Sequence, residues 1–534
     1  MARFTYDRLS TQDATFLFFE NDHVHMHVAA TQIYDAGPLR SKSGGIDIDR
    51  FKAAIRSALP KVPRYRQKIR WIPIWNHPVW IDDHQFNLDY HIRHTSLPKP
   101  GNDSQLKHLS ARVMSQALDR DRPLWETWVV EGLENDRFAV ITKIHHCMID
   151  GASGVDLSYI LMSTSPEVEE AEEPPTFRPR PVPTSLELIR DESLRRAAAP
   201  LDALHGIQNF VSQAEDLKSE IGMRLSAVGD LIGASLKPAS PSPLNGDLGP
   251  HRRFDWLTMS LDDVRAVRRK LDCTLNDVVL SVVSGAVRKF LIKRQADPSA
   301  IDFRAAAPVS IRKPEDAGQL GNHVSSWIVP LPIDEADPLE RVRRIHATTQ
   351  KLKESRQALG VEMIMGAAEF MGTMLLSLGA RAASGPINTI VTNVPGPQVP
   401  LYMLGAKMQA MYPQVPLLDD MGLGVALMSY DGKLCWGFNG DYELVPDMKD
   451  LVAAVKEGFE ELQAAVGLHV VEGEPVVAAK PHNLRLDQRL RTQADPRRVG
   501  DLPKPPLPNI ECPNVACRQC AIEGEYEATT MGRP

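Results

Sequence analysis

The chain has 534 residues, with 61 Lys and Arg against 68 Asp and Glu, a formal net charge of −7 and 43% hydrophobic residues. That length carries two or three domains with sizeable cores, and the apolar fraction excludes a disordered or collagen-like chain. The acidic balance leaves no domain-wide basic excess to displace counterions from phosphates, which excludes nucleic acid as an expected partner.

Taken in chain order, the N-terminal "MARFTYDRLSTQDATFLFFEN" has no basic stretch followed by an apolar core, so no signal peptide is expected. In "HVHMHVAA", His23, His25 and His27 alternate and would share one face of a strand. That is one way to build a metal site, but no carboxylate or Cys motif completes it. The expectation is a polar or cleft-lining face with no metal. "DRFKAAIRSALPKVPRYRQKI" starts with helical spacing, "DRFAVITKIHH" alternates as a strand, and "GASGVDLSYILMS" resumes a helical period. Residues 166–183 hold six prolines and five Glu, which predicts an extended surface linker.

Ser185 to about Leu236 reads as one or two amphipathic helices. Beyond Arg252, strands ("RFDWLTMSL", "NTIVTNV", "KLCWGFNGDY") alternate with helices such as "LNDVVLSVVSGAVRKFLIKR". Its apolar run Val278–Val287 is far shorter than a spanning helix. "VEMIMGAAEFMGTMLLSLGA" reads as core or as a flexible lining, and Trp327 likewise as core or channel wall. The last 64 residues carry nine prolines and predict a disordered or surface-draped tail. Its Cys512, Cys517 and Cys520 lack a fourth ligand and read as exposed thiols. The outcome is an α/β pattern divided as 1–165, a connection over 166–247, a second half over 248–470, and the tail 471–534.

The densest chemistry lies in "ITKIHHCMIDGASGVDL". Neighbours on a strand point to opposite faces, so only one of His145 and His146 can face a cleft. Asp150 follows four residues later and can orient the loop by accepting hydrogen bonds, while Gly151 permits a backbone conformation closed to other residues. A neutral imidazole in a cleft suits general-base work near neutrality.

"HHCMIDG" resembles the HHxxxDG signature of the chloramphenicol-acetyltransferase-like superfamily of acyl-CoA-dependent acyltransferases and peptide-synthetase condensation domains. Further segments are similar to motifs of the bacterial wax ester synthase/diacylglycerol acyltransferase family: "LSTQDATFLFFE" (Leu9 to Glu20), "RPLWE" (Arg122 to Glu126), "LNDVVL" (Leu275 to Leu280), "PVSIR" (Pro308 to Arg312) and "NVPGP" (Asn393 to Pro397). The order is the family's own, although the family's Pro-Met-His here has His25 in place of Pro. The tail is not covered.

The resemblance implies two chloramphenicol-acetyltransferase-like α/β halves, each a mixed sheet flanked by helices, with a central channel. It implies transfer of a long-chain acyl group from acyl-CoA, a substrate rather than a cofactor, to diacylglycerol or a long-chain alcohol. His146 would be the general base, with His145, Asp150 and Gly151 shaping its loop and Arg312 pairing with Asp150. Asn276 would donate a hydrogen bond to the substrate or its oxyanion, with Asp277 beside it in the substrate site, or else the pair would cap the following helix. Trp125 and "NVPGP" read as structural. The place of action would be the cytoplasm, peripherally on the inner membrane face or on lipid inclusions. A catalytically silent lipid-binding or droplet protein, and a condensation-type transfer to an amine, remain alternatives.

Overall fold

The computed structural model describes residues 5–148, 162–168, 175–197, 239–310, 324–354 and 387–468. Asp150, Gly151 and Arg312 lie outside them, as do the Met-rich segment, the tail and most of the amphipathic stretch up to Leu236.

Fifteen strands make three sheets among the described residues. The N-terminal strands are β1 (Asp7–Arg8), β2 (His27–Asp35), β3 (Gln67–Ile72), β4 (His77–Asp82), β5 (Ile92–Ser96), β6 (Trp125–Leu133) and β7 (Arg137–His145). The remainder are β8 (Arg252–Ser260), β9 (Arg304–Ser310), β10 (Val324–Pro330), β11 (Thr389–Val394), β12 (Tyr402–Met403), β13 (Ala406–Gln414), β14 (Leu423–Tyr430) and β15 (Lys433–Asp441). A three-stranded sheet runs β1-β4-β3. The first six-stranded sheet runs β12-β13-β2-β7-β6-β5, and the second β10-β9-β11-β14-β15-β8.

The first large sheet is therefore completed from far along the chain. Antiparallel β13 pairs with β2, Met411 opposite Gln32 and Gln414 opposite Ala29. Its sequence AKMQAMYPQ buries every second residue, the period of a strand with unlike faces. Where β13 crosses the second sheet, a Cβ on Gly437 of β15 would fall 1.8 Å from the Pro413 carbonyl oxygen. Only glycine admits that approach.

Helices pack on these sheets. Helix α1 (Thr11–Phe18) starts at Ser10, whose side chain accepts from the Asp13 N–H. Helix α2 (Ile48–Ala58) starts at Asp47 and buries Phe51, Ile55 and Ala58 at helical spacing. Helix α3 (Asp103–Ser115) opens on a reciprocal Asn102–Gln105 capping box. The second half holds α4 (Leu261–Leu271), α5 (Leu275–Lys293), α6 (Pro338–Glu354) and α7 (Met448–Ala465).

The apolar run expected to be too short for a membrane is the buried centre of α5. It packs on α6 and α7 in the second half's core with Phe303, Val425 and Trp436. Trp327 on β10 packs, partly buried, against that same core. No helix among the described residues is long and apolar enough to cross a membrane.

Candidate active site

β7 ends at His145, and His146 opens a single 3-10 turn, His146–Met148. The change from strand to turn separates the two rings as alternation requires. His145 is 1% exposed and packs inward with His27, its partner across the ladder. His146 is half-buried and lines an apolar cavity of about 240 Å³.

That cavity is walled by both large sheets. Thr142 and Ile144 of β7 and Trp125 of β6 meet Thr392 and Val394 of β11 and Leu427 of β14. Phe51 and Ile55 of α2 line it, and the unbranched thioethers of Met403, Met411 and Met428 add an adaptable surface. Trp125 is fixed by an indole N–H donated to the Tyr65 carbonyl (2.9 Å) and by stacking on His91 at 4.5 Å. The next residue, Glu126, turns to the opposite face and pairs with fully buried Lys143 at 2.7 Å.

Helix α1 and the residue two positions beyond it organise the His146 turn from two sides. Phe16 stacks on the imidazole with ring centroids 4.0 Å apart. Glu20 accepts the Met26 N–H at 2.8 Å, and the Met26 carbonyl accepts the His146 N–H at 2.7 Å. The carboxylate also meets Arg120 and lies 3.2 Å from His145 Nε2 and 3.8 Å from His27 Nε2. Because the Cys147 N–H donates to His145 Nδ1 (3.1 Å), the proton of a neutral His145 sits on Nε2, facing Glu20.

Burial pushes the Glu20 carboxyl up, but His145, His27 and Arg120 outweigh it and hold the group well below the usual carboxylate range. Burial takes His27 well below the ordinary imidazole value, helped by Lys143 and His145. Burial also lowers His25 against the pull of Glu20. His25 and His27 stack at 5.4 Å beside the carboxylate, while His23 is exposed. Among the described residues no three His, Cys, Asp or Glu side chains are grouped to hold a metal ion.

The remaining candidates fall elsewhere. Asp277 is fully buried and does not line the cavity. Thr274, not Asn276 or Asp277, is the N-cap of α5, and Asp277 closes the reciprocal capping box from the third helical position. Its carboxylate also takes His346 Nδ1 (2.7 Å) and the Thr349 hydroxyl (2.8 Å), binding α6 to α5. Burial raises this acid, and those hydrogen bonds bring it below the ordinary value. Asn276 accepts from the Asn393 side-chain amide at 2.8 Å, so the ND and NVPGP segments touch. In the latter, a Cβ on Gly396 would fall 2.2 Å from the Ser429 carbonyl oxygen, which makes that glycine a close-packing requirement.

Sequence reasoning gave no role to three residues that the structure brings forward. Phe16 and Glu20 belong to the opening motif, and its end at a lone Glu before a His-rich strand was the available signal. Gln414, 1% exposed at the end of β13, lines the cavity wall. Neither polar atom of its amide has a hydrogen-bond partner among the described residues. Nothing local in "MYPQVP" marks it.

Residues 9–279 match the profile of the wax ester synthase/diacylglycerol acyltransferase catalytic domain, and residues 320–463 that of the WS/DGAT C-terminal domain. The chain is 31% identical over 474 residues to a putative diacylglycerol O-acyltransferase of Mycobacterium tuberculosis, covering 85% of this chain and 90% of that one. It is 30% identical over 465 residues to the probable diacylglycerol O-acyltransferase tgs1 of the same species, covering 86% and 96%. Among solved structures, the wax ester synthase/diacylglycerol acyltransferase from Marinobacter aquaeolei VT8 superposes with a TM-score of 0.61 at 25% identity, covering 86% of this chain and all of that one. The first condensation domain of the calcium-dependent antibiotic synthetase, at 14% identity and TM-score 0.54, shares the fold over 86% of this chain and 96% of its own.

Proposed function

This chain belongs to the wax ester synthase/diacylglycerol acyltransferase family, and from that premise we propose that the His146 cavity is where an acyl-CoA thioester and a lipid alcohol meet. The protein is an acyltransferase of that family. In this reading the acceptor is diacylglycerol, a long-chain alcohol, or both, and the products are triacylglycerol and wax ester.

The observation that carries the reading is a half-buried imidazole on the wall of an apolar cavity built from both large sheets. An apolar cavity with one basic group suits a substrate that is mostly hydrocarbon with one reacting hydroxyl. His146 takes the hydroxyl proton as the alcohol oxygen forms its bond to the thioester carbonyl carbon. The tetrahedral adduct then collapses, its C–S bond breaks, and the imidazolium returns the proton to the departing coenzyme A thiolate. No acyl-enzyme and no cofactor is needed, because the thiolate is a good leaving group. A buried amide at Gln414 offers a donor and an acceptor to the polar end of either substrate. The Phe16 stack and the Glu20–Met26 relay keep the ring in place.

Purified protein should release free coenzyme A from palmitoyl-CoA when given diacylglycerol or a fatty alcohol. His146→Ala should lower that rate by ~10²–10⁴-fold. An unchanged rate would remove the general-base role, and no release by the wild type with either acceptor would remove the reading itself. A long-chain amine run alongside tests the condensation alternative.

A further inference from the structure

Tyr65 also lines the His146 cavity, and its side chain is more than nine-tenths buried. Its hydroxyl has no hydrogen-bond partner among the described residues. The sequence around it explains how the ring is held. Pro63–Arg66 form a 3-10 turn whose first residue is a proline with fixed φ. The flanking arginines anchor that turn on aromatic rings, Arg64 over Trp80 at 4.5 Å and Arg66 over Phe177 at 4.1 Å. Tyr65 lies between them and packs on Trp125, with ring centroids 5.2 Å apart. Its carbonyl takes the Trp125 indole N–H, so backbone and ring are fixed by the same partner.

A phenylalanine would fill this space without burying an unpaired hydroxyl, which costs free energy in the empty protein. The cost is recovered when a ligand accepts a hydrogen bond there. Burial pushes the phenol up, so the group remains a donor across the physiological range.

The position of Tyr65 narrows what that ligand group is. Trp125 sits opposite Ile144 in the ladder, two residues before His146. At ~3.4 Å per strand residue, this level lies about 7 Å along β7 from the base. A thioester reacting beside His146 is therefore not what Tyr65 meets, but a second polar group about a glycerol unit away is. Around the ring the wall is hydrocarbon, from Phe51, Ile55, Leu59 and Val62. An amide would bring an N–H that this wall cannot accept, whereas an ester carbonyl only accepts. A straight-chain alcohol has no second polar group. A diacylglycerol carries ester carbonyls a few bonds from its free hydroxyl, set between hydrocarbon chains.

We propose that Tyr65 is a specificity-determining residue, whose hydroxyl donates a hydrogen bond to an ester carbonyl of diacylglycerol while the free hydroxyl of the same lipid meets His146. The inference rests on the acyltransferase reading and adds to it the group that tells a glyceride from a simple alcohol.

The test compares dioleoylglycerol with its diether analogue dioleylglycerol, which has the same hydroxyl and chains but no carbonyls. Release of coenzyme A from palmitoyl-CoA is followed with wild type and with Tyr65→Phe. Wild type should prefer the diester about tenfold in kcat/KM, because a site built to hydrogen-bond a substrate penalises the analogue lacking that group. In Tyr65→Phe the preference should fall to about one, since either change removes the same interaction and making both loses no more. The variant should melt no lower than wild type, as it keeps the ring and discards an unpaired hydroxyl. Equal use of the two lipids by wild type overturns the proposal. So does a preference that survives in Tyr65→Phe, including one where both rates fall together, which is the signature of a purely structural role. Release with hexadecanol but with neither glyceride overturns the Tyr65 assignment alone. No release by wild type with any of the three lipids would overturn the acyltransferase reading on which it rests.

Discussion

Replacing Glu20 with Gln keeps the shape of the side chain and removes its charge. The amide oxygen can still accept the Met26 N–H, but the new NH2 faces groups that are themselves donors, Arg120 and the Nε2–H of His145. Arg120 is half exposed, so its loss is worth only about 0.5–1 kcal/mol. His145 Nε2 is buried 3.2 Å from the carboxylate but outside hydrogen-bond geometry, so what is lost there is the attraction of the charge, about 0.5–1.5 kcal/mol. The variant should therefore lose roughly 1–2.5 kcal/mol of stability at neutral pH.

The pH dependence has a fixed sign. The Glu20 carboxyl is held below its ordinary value of 4.5, so its contribution is complete above that value and fades as pH falls beneath it. The gap between wild type and variant, read from urea midpoints, should be widest at neutrality and shrink in acid. Because the Gln amide must turn its NH2 away from His145 and Arg120 to keep accepting from Met26, the Met26 contact and the His146 N–H behind it are held less firmly, and kcat should fall about 10-fold while KM for acyl-CoA changes little. A variant with wild-type kcat, and a stability gap that does not narrow in acid, would refute the claim that this carboxylate positions the His146 turn.

Two further substitutions separate structural from chemical roles. Asp277→Asn should cost about 2–3 kcal/mol by unsettling the contacts to Thr274, His346 and Thr349, with specific activity of the folded protein retained. Here too the depressed acid means that the penalty shrinks as pH falls, and thermal melts with parallel assays check it. Normal stability with lost activity would restore Asp277 to the substrate site. Gln414→Met removes a buried amide without a hydrogen-bond partner among the described residues and should raise stability by about 1–3 kcal/mol while lowering kcat/KM. A higher melting temperature with unchanged kcat/KM would show that the amide serves no substrate atom.

Local periodicity carried the fold a long way. The alternation in "DRFAVITKIHH" separates His145 from His146, and the apolar run of α5 is a core helix of the expected length. The ND pair was harder, because an Asn-Asp at a helix start serves a cap or a ligand equally well. Contacts from α6, some seventy residues away, place Asp277 in the framework. The destination of β13 was not legible: AKMQAMYPQ says that one face is buried, and nothing in it says in which sheet. Glu20 escaped for a related reason, since a lone acid has no period and its meaning comes from His145, Arg120 and Met26. The Asp150–Arg312 pairing falls outside the described residues.

The pairing of β13 with β2 bears on how the molecule is made and divided. As the polypeptide leaves the ribosome, β2 has β7 on one side and an open edge on the other until residues 406–414 emerge. An unpaired apolar edge is a template for misassociation. A fragment ending after the connecting segment should therefore be poorly soluble by itself and recover when the missing piece is coexpressed. The ladder from Ala29–Gln414 to Tyr34–Met408 also ties the two halves together, so any widening of the site between them must either bend the connections on each side of β13 or tear that ladder.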